Sequence, residues 1–268
     1  MPPDAALLDE LLVLALRVAD DAASLLVEGL GRARADVATK SSLTDMVTEI
    51  DRASEALIVE ELRAARPDDA IIGEEGTAET GTTGVRWLVD PVDGTTNYLY
   101  GHPGFSVSIA AEVHGVRAVG VVHDPLHDEV FAAVSGRGAT RNGGAIHCSD
   151  KAELSTALVA TGFSYDPARR RAQARVLERI VARVRDIRRM GAASVDLCSV
   201  ACGRVDAYYE RGLGPWDLAA GALIAAEAGA RVGDLDGATE LADTVLAAPP
   251  ELFDPLASLL REAGAREA

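Results

Sequence analysis

The chain has 268 residues, of which 48% are hydrophobic and 25% are charged, and its formal net charge is −16. This length and composition are typical of a globular protein with a large core, built as one large domain or as two halves folded against each other. The negative charge disfavours a general nucleic-acid coat, because phosphates would be repelled over most of the surface.

The N-terminus and the cysteines bear on the cellular compartment. The first ten residues, MPPDAALLDE, carry acids where a signal peptide needs basic residues, and no apolar run reaches the length of a membrane span. The three cysteines show neither a metal-binding spacing nor an even disulfide framework, which favours reduced thiols. We therefore expect a cytoplasmic protein without a membrane anchor.

In the N-terminal half, helices precede strands. Apolar residues at helical spacing predict an amphipathic helix over residues 4–29 and a second helix over residues 50–65. Residues 70–72 and 85–89 have the pattern of short buried strands, each ending at acidic residues. Residues 106–134 predict an antiparallel meander, because turn residues separate three apolar runs.

The C-terminal half alternates between strands and helices. A glycine-punctuated loop over residues 136–144 leads into it. Strands are predicted at residues 157–162, 205–210 and 244–248, and helices at residues 167–185, 194–202, 218–228 and 251–264. Because both halves mix helices and strands without a linker or repeat, we expect a layered α/β architecture in a single domain over residues 1–268, with halves at about 1–150 and 151–268.

Acidic residues recur at the ends of the predicted elements. They are Asp45 and Asp51, Glu74 and Glu75, Asp90 and Asp93, and Asp217. Magnesium takes a few carboxylate oxygens from a protein and keeps several waters that a substrate can replace. The pattern therefore favours a magnesium or manganese site.

The segment 88–101, LVDPVDGTTNYLYG, concentrates this chemistry. Asp90 could bridge two ions, Asp93 could ligate one, and the proline after Asp90 leaves the carbonyl of Val92 free to face a metal. The glycine and threonines that follow predict a short helix, whose first N–H groups could hold a phosphate. Alone, such a D-P-x-D-G stretch is most often a surface turn, and the apolar residues before it favour the metal site.

Six segments share an order that is typical of one family. They are KSSLTDMVTEID, IIGEEG, WLVDPVDGTTNYLYGHP, RRMGAASVDLCSVACGRVDAYYE, PWDLAAGALIAAEAGA and VLAAPPELF. The chain resembles the inositol monophosphatase family of metal-dependent, lithium-inhibited phosphatases, and its bacterial members above all, over nearly the whole length. The resemblance implies the five-layer αβαβα fold of the inositol monophosphatase and fructose bisphosphatase type, and a homodimer.

The resemblance also implies a set of metal ligands. Glu74, Asp90 and the carbonyl of Val92 would hold one magnesium ion. Asp90, Asp93 and Asp217 would hold a second, and a third, weaker ion is expected near Glu74. Each site would therefore contain two to three Mg²⁺ ions, which Mn²⁺ could replace.

Catalytic roles follow from the same resemblance. Glu74 and Thr95, with Thr95 oriented by Asp51, would position and deprotonate a metal-bound water for in-line attack on phosphorus. The amides of Gly94 and Thr95 would hold phosphate oxygens. Lys40 lies in the segment that resembles the family's mobile loop over the site, although a lone lysine beside serines also suits a solvated loop.

The substrate is expected to be a small phosphorylated polyol. Glu210 occupies the place of a family glutamate that binds a ring hydroxyl, and Ala193 matches a position whose backbone contacts the sugar or cyclitol. Asp93 and Asp217 would contact the substrate as well. A carboxylate at Glu210 accepts hydrogen bonds from a polyol and repels a second phosphate, which favours inositol monophosphate. Histidinol phosphate, fructose 1,6-bisphosphate and nucleotide 3′-phosphates stay open as alternatives, as does an exposed structural role for Glu210.

The segment from Arg169 to Arg189 is unusually basic. It carries nine arginines against two acidic residues in an otherwise acidic chain. Helical spacing places Arg171, Arg175 and Arg179 on one face. A solvated face or a dimer contact is the favoured interpretation, and a partner in RNA or a transcription complex is the alternative, because some bacterial relatives of the resembled family act in such complexes.

Overall fold

The computed structural model describes residues 4–37, 43–238 and 244–267, with side chains described outside residues 31–48. Lys40 lies outside the described residues, and so does the side chain of Asp45. The helices of the described ranges are α1 Ala5–Val37, α2 Leu43–Ala65, α3 Thr95–Tyr100, α4 Pro167–Ile180, α5 Ala193–Ala201, α6 Pro215–Glu227 and α7 Pro250–Glu262. None of them combines the length and the apolar character that crossing a membrane requires.

The strands form two sheets. The first contains β1 Ala70–Gly73, β2 Ala78–Glu79, β3 Val85–Asp93, β4 Ser106–Val113, β5 Val116–Asp124, β6 Glu129–Val134, β7 Ala139–Arg141 and β8 Gly144–Ile146, in the order β2-β1-β3-β4-β5-β6-β7-β8. The second contains β9 Leu158–Thr161, β10 Asp186–Arg188, β11 Ala207–Arg211, β12 Arg231–Gly233 and β13 Thr244–Ala248, in the order β10-β9-β11-β13-β12.

Most elements lie where the sequence predicts them, and the predicted meander is confirmed as β4, β5 and β6. Two predictions are wrong. The expected loop at residues 136–144 contains β7 and the start of β8, because three-residue strands are too short to show alternation. The helix expected over residues 167–185 ends at Ile180, and the chain then forms the edge strand β10 parallel to β9. α2 also begins earlier than expected, at Leu43.

Helices cover both faces of the first sheet. On the outer face, α1 and α2 bury apolar residues such as Leu11, Leu26 and Leu62 against Ile109 and Val121. Each fully buried leucine or isoleucine contributes about 1.5–3 kcal/mol to stability. The spacing of apolar residues that predicts these helices therefore arises because one face of each helix packs against the sheet.

α5 and α6 lie on the inner face, between the sheets. Leu197 and Leu223 belong to one buried cluster with Val122 of the first sheet and Tyr208 of the second. The sheet approaches α6 so closely that a Cβ at Gly120 would lie 2.9 Å from the carbonyl oxygen of Ala220. Glycine at this position therefore allows the backbones to touch.

α4 and α7 cover the far side of the second sheet, where apolar residues from both helices join its buried strands in a third cluster. The layers are thus α1 and α2, the first sheet, α5 and α6, the second sheet, and α4 and α7. The five-layer α/β fold implied by the resemblance is confirmed.

Candidate active site

Strand pairing brings the first acidic residues together. β1 and β3 are parallel neighbours with Gly73 opposite Val89, so their carboxyl ends lie side by side. Glu74, the residue after β1, donates its backbone N–H to the carbonyl of Val89 at 3.1 Å. Glu74 therefore lies next to Asp90 in β3, although 16 positions separate them in the chain.

Asp217 completes the group from the opposite half of the chain. It lies in the first turn of α6, where its carboxylate accepts the N–H of Gly214 at 2.6 Å. Carboxylate oxygens of Glu74, Asp90 and Asp217 all lie within 4.8 Å of one another. The group offers oxygen ligands only, which suits a hard divalent cation such as Mg²⁺.

The charges in this group repel one another. Asp90 is buried, and its pKa is raised well above the usual range, first by burial and then by the charges of Asp93, Glu74 and Asp217. Burial is also the main reason that the pKa of Asp217 rises to about 6 and that the pKa of Glu74 rises. Since a cation would remove this repulsion, the electrostatics fit a metal centre.

Asp93 has a different environment from the other acids. Its Oδ1 accepts the N–H of Ala193 at 3.2 Å, and its Oδ2 accepts the N–H and the hydroxyl of Ser194 at 2.7 and 2.5 Å. Burial and Asp217 raise the pKa of Asp93 to about 6, although these hydrogen bonds oppose the shift. Asp93 thus lines the same cavity as Asp217 but is anchored to the first turn of α5, outside the converging group of three.

The turn after Asp93 depends on glycine. Gly94 has a φ of +90° and precedes α3, and a Cβ there would lie 2.9 Å from the carbonyl oxygen of Gly104. The hydroxyl of Thr95 donates to the carbonyl of Val92 at 3.0 Å, and the N–H of Val92 donates to Oδ1 of Asp90 at 3.0 Å. The predicted metal-facing carbonyl of Val92 therefore has a hydroxyl partner within the chain.

Asp51 lies in α2 and is buried next to this region. Burial, followed by the charges of Glu75 and Glu74, raises its pKa to about 8. Among the described residues, its Oδ1 has no hydrogen-bond partner. The Thr95 hydroxyl donates to the carbonyl of Val92, and the orientation of Thr95 by Asp51 stays a prediction.

A cavity of about 310 Å³ is lined by most of the predicted site residues. Of the site residues that the sequence predicts, the cavity is lined by Glu74, Asp90, Val92, Asp93, Gly94, Thr95, Ala193, Glu210 and Asp217. Asp51 does not line it. The structure therefore brings together residues from four separate segments of the chain at the junction of the two sheets.

Glu210 faces the acidic group from β11. The hydroxyl of Tyr208 donates to its Oε2 at 2.6 Å, and a Cβ at Gly162 would collide with this carboxylate. Burial and the charge of Asp93 raise the pKa of Glu210 to about 7, although the Tyr208 hydroxyl and Arg189 oppose the shift. Glu210 is therefore held in place by the protein and changes its charge near neutral pH.

The predicted site residues do not include one wall of the cavity. Phe163, Ser164, Tyr165, Arg189 and Arg211 line it as well. The hydroxyl groups of Tyr165 and Thr96 lie 2.9 Å apart. The RRMGAAS motif contains both Arg189 and Ala193, which is a signal that could have placed Arg189 here, whereas no local pattern marks residues 163–165.

Part of the arginine-rich segment is used within the fold. Arg171, Arg175 and Arg179 are all exposed on α4, and Arg179 also donates to the carbonyl of Ala263 after α7 at 2.9 Å. Arg170 donates to the carbonyl of Ser164 at 2.9 Å and so supports the cavity wall. Part of the basic segment is thus used to hold the fold together.

Comparisons with known proteins agree with this geometry. A sequence model described as inositol monophosphatase family matches residues 7–265. The inositol-1-monophosphatase SuhB of Mycobacterium tuberculosis is 48% identical over 205 residues, which are 73% of this chain and 71% of the relative. The Nus factor SuhB of Haemophilus influenzae is 39% identical over 258 residues, which are 95% of this chain and 97% of the relative. The solved inositol monophosphatase from Anabaena (Nostoc) sp. PCC 7120 is 37% identical with a TM-score of 0.84, over 95% of this chain and 96% of that structure.

Proposed function

Because the chain belongs to the inositol monophosphatase family, whose members are metal-dependent phosphatases, we propose that it is a magnesium-dependent enzyme hydrolysing inositol monophosphate to inositol and phosphate. One observation carries the proposal. Glu74, Asp90 and Asp217 converge in a cavity whose wall includes a polyol-binding candidate, Glu210.

The acidic group would hold the metal. The proposed ligands of two to three Mg²⁺ ions are Glu74, Asp90, Asp93, Asp217 and the carbonyl of Val92. Among them, the carboxylate oxygens of Glu74, Asp90 and Asp217 converge within 4.8 Å of one another. When bound, Mg²⁺ would neutralise the carboxylates, polarise the phosphate and lower the pKa of a coordinated water. Mn²⁺, which also prefers oxygen ligands, is the proposed replacement.

The chain's own residues would position the reactants. Gly94 and Thr95 line the cavity, and their N–H groups would donate to phosphate oxygens. Glu74, which lines the cavity, would take a proton from the attacking water. A bond forms from the water oxygen to phosphorus, the bond from phosphorus to the ester oxygen breaks, and the leaving alkoxide gains a proton from solvent.

The polyol part of the substrate would lie against Glu210. Its carboxylate can accept hydrogen bonds from ring hydroxyls, while its negative charge disfavours a second phosphate at the same place. The cavity of about 310 Å³ is at the lower end of the size range of small-molecule sites, which suits a cyclitol phosphate. Arg189 and Arg211 in the same wall are the features that would favour a doubly charged alternative such as fructose 1,6-bisphosphate.

A substrate screen tests the proposal. Inositol 1-phosphate, histidinol phosphate, fructose 1,6-bisphosphate and adenosine 3′,5′-bisphosphate are each assayed for phosphate release with Mg²⁺, and again with added Li⁺. We expect inositol 1-phosphate to give the highest kcat/KM and Li⁺ to inhibit. A preference for a bisphosphate would replace the proposed substrate, and no Mg²⁺-dependent release from any ester would remove the proposed function.

The metal assignment has its own test. Asp90→Asn removes the central charge of the group, and we expect kcat/KM to fall by roughly 100-fold or more, since metal chemistry contributes several kcal/mol. Asp150→Asn, at an exposed position, is the control and should retain wild-type turnover. Turnover of Asp90→Asn within a few fold of the wild type would contradict the assignment.

A second candidate function is binding within a transcription complex or to RNA. It is favoured by the relative from Haemophilus influenzae, which is named a Nus factor and matches 95% of this chain. The exposed Arg171 and Arg175 are the candidate contacts for this test, because Arg179 also donates to the carbonyl of Ala263. RNA binding in a gel-shift assay that is unchanged by Arg171→Glu with Arg175→Glu would remove this surface as the RNA site.

A further inference from the structure

A buried carboxylate outside the cavity holds the turn that carries Glu74. Glu55 of α2 is 5% exposed and does not line the cavity. Its Oε2 accepts the N–H of Glu75 at 2.8 Å, and its Oε1 accepts both the N–H and the hydroxyl of Thr77, at 3.1 and 2.6 Å. Three donors of one short turn therefore converge on a single side chain.

The turn is shaped to receive this carboxylate. The N–H of Gly73 donates to the carbonyl of Thr77 at 2.9 Å, which closes the turn. A Cβ at Gly73 would collide with the carboxylate of Glu55. Glycine at position 73 therefore leaves room for the carboxylate of Glu55. Its φ lies outside the left-handed region, so the backbone conformation does not itself require glycine there.

Glu74 lies inside this arrangement. Its own N–H is held by the carbonyl of Val89, and the next N–H along the chain, that of Glu75, is held by Glu55. The backbone on both sides of the Glu74 Cα is thus fixed, while its side chain is free to face Asp90 and Asp217. α2 also contacts the other acidic segment, because the hydroxyl of Ser54 donates to the carbonyl of Pro91 at 3.2 Å.

We propose that Glu55 is a positioning residue for the metal centre, which clamps the 73–77 turn so that the Glu74 carboxylate meets Asp90 and Asp217. The inference rests on the proposed function, since it assigns Glu55 to the support of the same site. Groups that hold metal ligands in place typically contribute 10-fold to 100-fold to metal affinity or activity. Glu55 does not line the cavity and would act through its hydrogen bonds to the turn.

The test compares Glu55→Gln, Thr77→Val and the control Glu60→Gln, an exposed glutamate of the same helix. The glutamine in Glu55→Gln has one acceptor oxygen and an NH₂ group that cannot accept, so it cannot satisfy both the Glu75 and the Thr77 donors. Thr77→Val removes one donor and keeps the side-chain shape. Mn²⁺ binding without substrate is measured by electron paramagnetic resonance, together with the Mg²⁺ dependence of turnover and the thermal unfolding midpoint.

We expect Glu55→Gln to raise the Mn²⁺ Kd and the half-saturating Mg²⁺ concentration by about 10-fold to 100-fold, with much of kcat restored at saturating Mg²⁺. Thr77→Val should raise both values by a smaller factor. In the double variant, the rise in the Mn²⁺ Kd should be smaller than the product of the two single rises, because both substitutions disturb the same hydrogen bonds. Glu60→Gln should stay within twofold of the wild type.

The outcomes separate this inference from the function on which it rests. If the wild type neither binds Mn²⁺ nor hydrolyses phosphate esters with Mg²⁺, the proposed function fails and the inference fails with it. If the wild type does both and folded Glu55→Gln binds Mn²⁺ within threefold of it, the inference alone is overturned. Should Glu55→Gln fail to fold, unchanged Mn²⁺ binding by Thr77→Val overturns it.

Discussion

At the scale of single residues, burial and the Tyr208 hydroxyl act in opposite directions on the charge of Glu210. The Tyr208 hydroxyl donates to Glu210 and stabilises its ionised form, whose pKa is nevertheless about 7 because of burial. In the wild type, KM for inositol 1-phosphate should therefore rise as pH falls through about 7, since a protonated Glu210 accepts fewer hydrogen bonds from the polyol. Tyr208→Phe removes the donor and raises the pKa of Glu210, so the rise in KM should begin at a higher pH.

The measurement is the pH profile of KM and of kcat for both proteins. Tyr165→Phe is a matched control, because it removes a tyrosine hydroxyl from the same cavity wall without touching Glu210. Superimposable KM profiles for Tyr208→Phe and the wild type would show that Glu210 does not bind the polyol in its charged form.

At the scale of elements, the start of α5 anchors the end of β3. Ser194 donates its N–H and its hydroxyl to Asp93, and its hydroxyl also lies 2.7 Å from that of Ser106 in β4. We expect Ser194→Ala to lower the free energy of unfolding by about 1.5–3 kcal/mol, because it removes a buried hydrogen bond to an acidic group. Urea unfolding measures this loss, and Ser155→Ala, at an exposed position, should change it by less than about 0.5 kcal/mol.

At the scale of the whole molecule, the raised carboxyl pKa values couple stability to pH and metal. Burial raises the pKa of Asp93 and Asp217 to about 6, of Glu210 to about 7 and of Asp51 to about 8. Between about pH 4, near the unfolded-state values, and pH 8, the folded protein binds more protons than the unfolded chain. Its stability without metal should therefore fall as pH rises through this window.

Calorimetry without divalent ions and with saturating Mg²⁺ checks this coupling. The thermal midpoint of the metal-free protein should fall from pH 5 to pH 8. Mg²⁺ binds the ionised carboxylates, so it should raise the thermal midpoint more at pH 8 than at pH 5. A Mg²⁺-induced rise in the thermal midpoint that is equal at both pH values would contradict the proposed assignment of Asp93 and Asp217 to the metal centre.

Other predictions about the whole molecule still await experiments. A homodimer, a cytoplasmic location and the division into halves near residue 150 stay predictions from the sequence. The strands of the first sheet end at Ile146 and those of the second begin at Leu158, so the expected division lies in the connection between the sheets. Size-exclusion chromatography with light scattering measures the oligomeric state directly.

The sequence by itself determined the layered α/β class and the acidic composition of the candidate site. Apolar residues at helical spacing predict α1 and α2, because each helix buries one of its faces. The acidic residues at the ends of β1 and β3 predict carboxylate oxygens as metal ligands. Short elements such as β7 and β10 escaped prediction, since three residues show no period, and β10 pairs with β9, which lies before α4 in the chain.

Only the tertiary structure decided how the site residues are held. Asp93 and Ser194 are 101 positions apart, and Glu55 and Thr77 are 22 apart. No local pattern therefore links either carboxylate to the backbone N–H whose hydrogen bond it accepts. The cavity wall at residues 163–165 likewise belongs to the site only because the second sheet packs across α5 and α6. Ligand type follows from residue chemistry, which the sequence contains, whereas ligand position follows from long-range contacts, which form only when the layers pack.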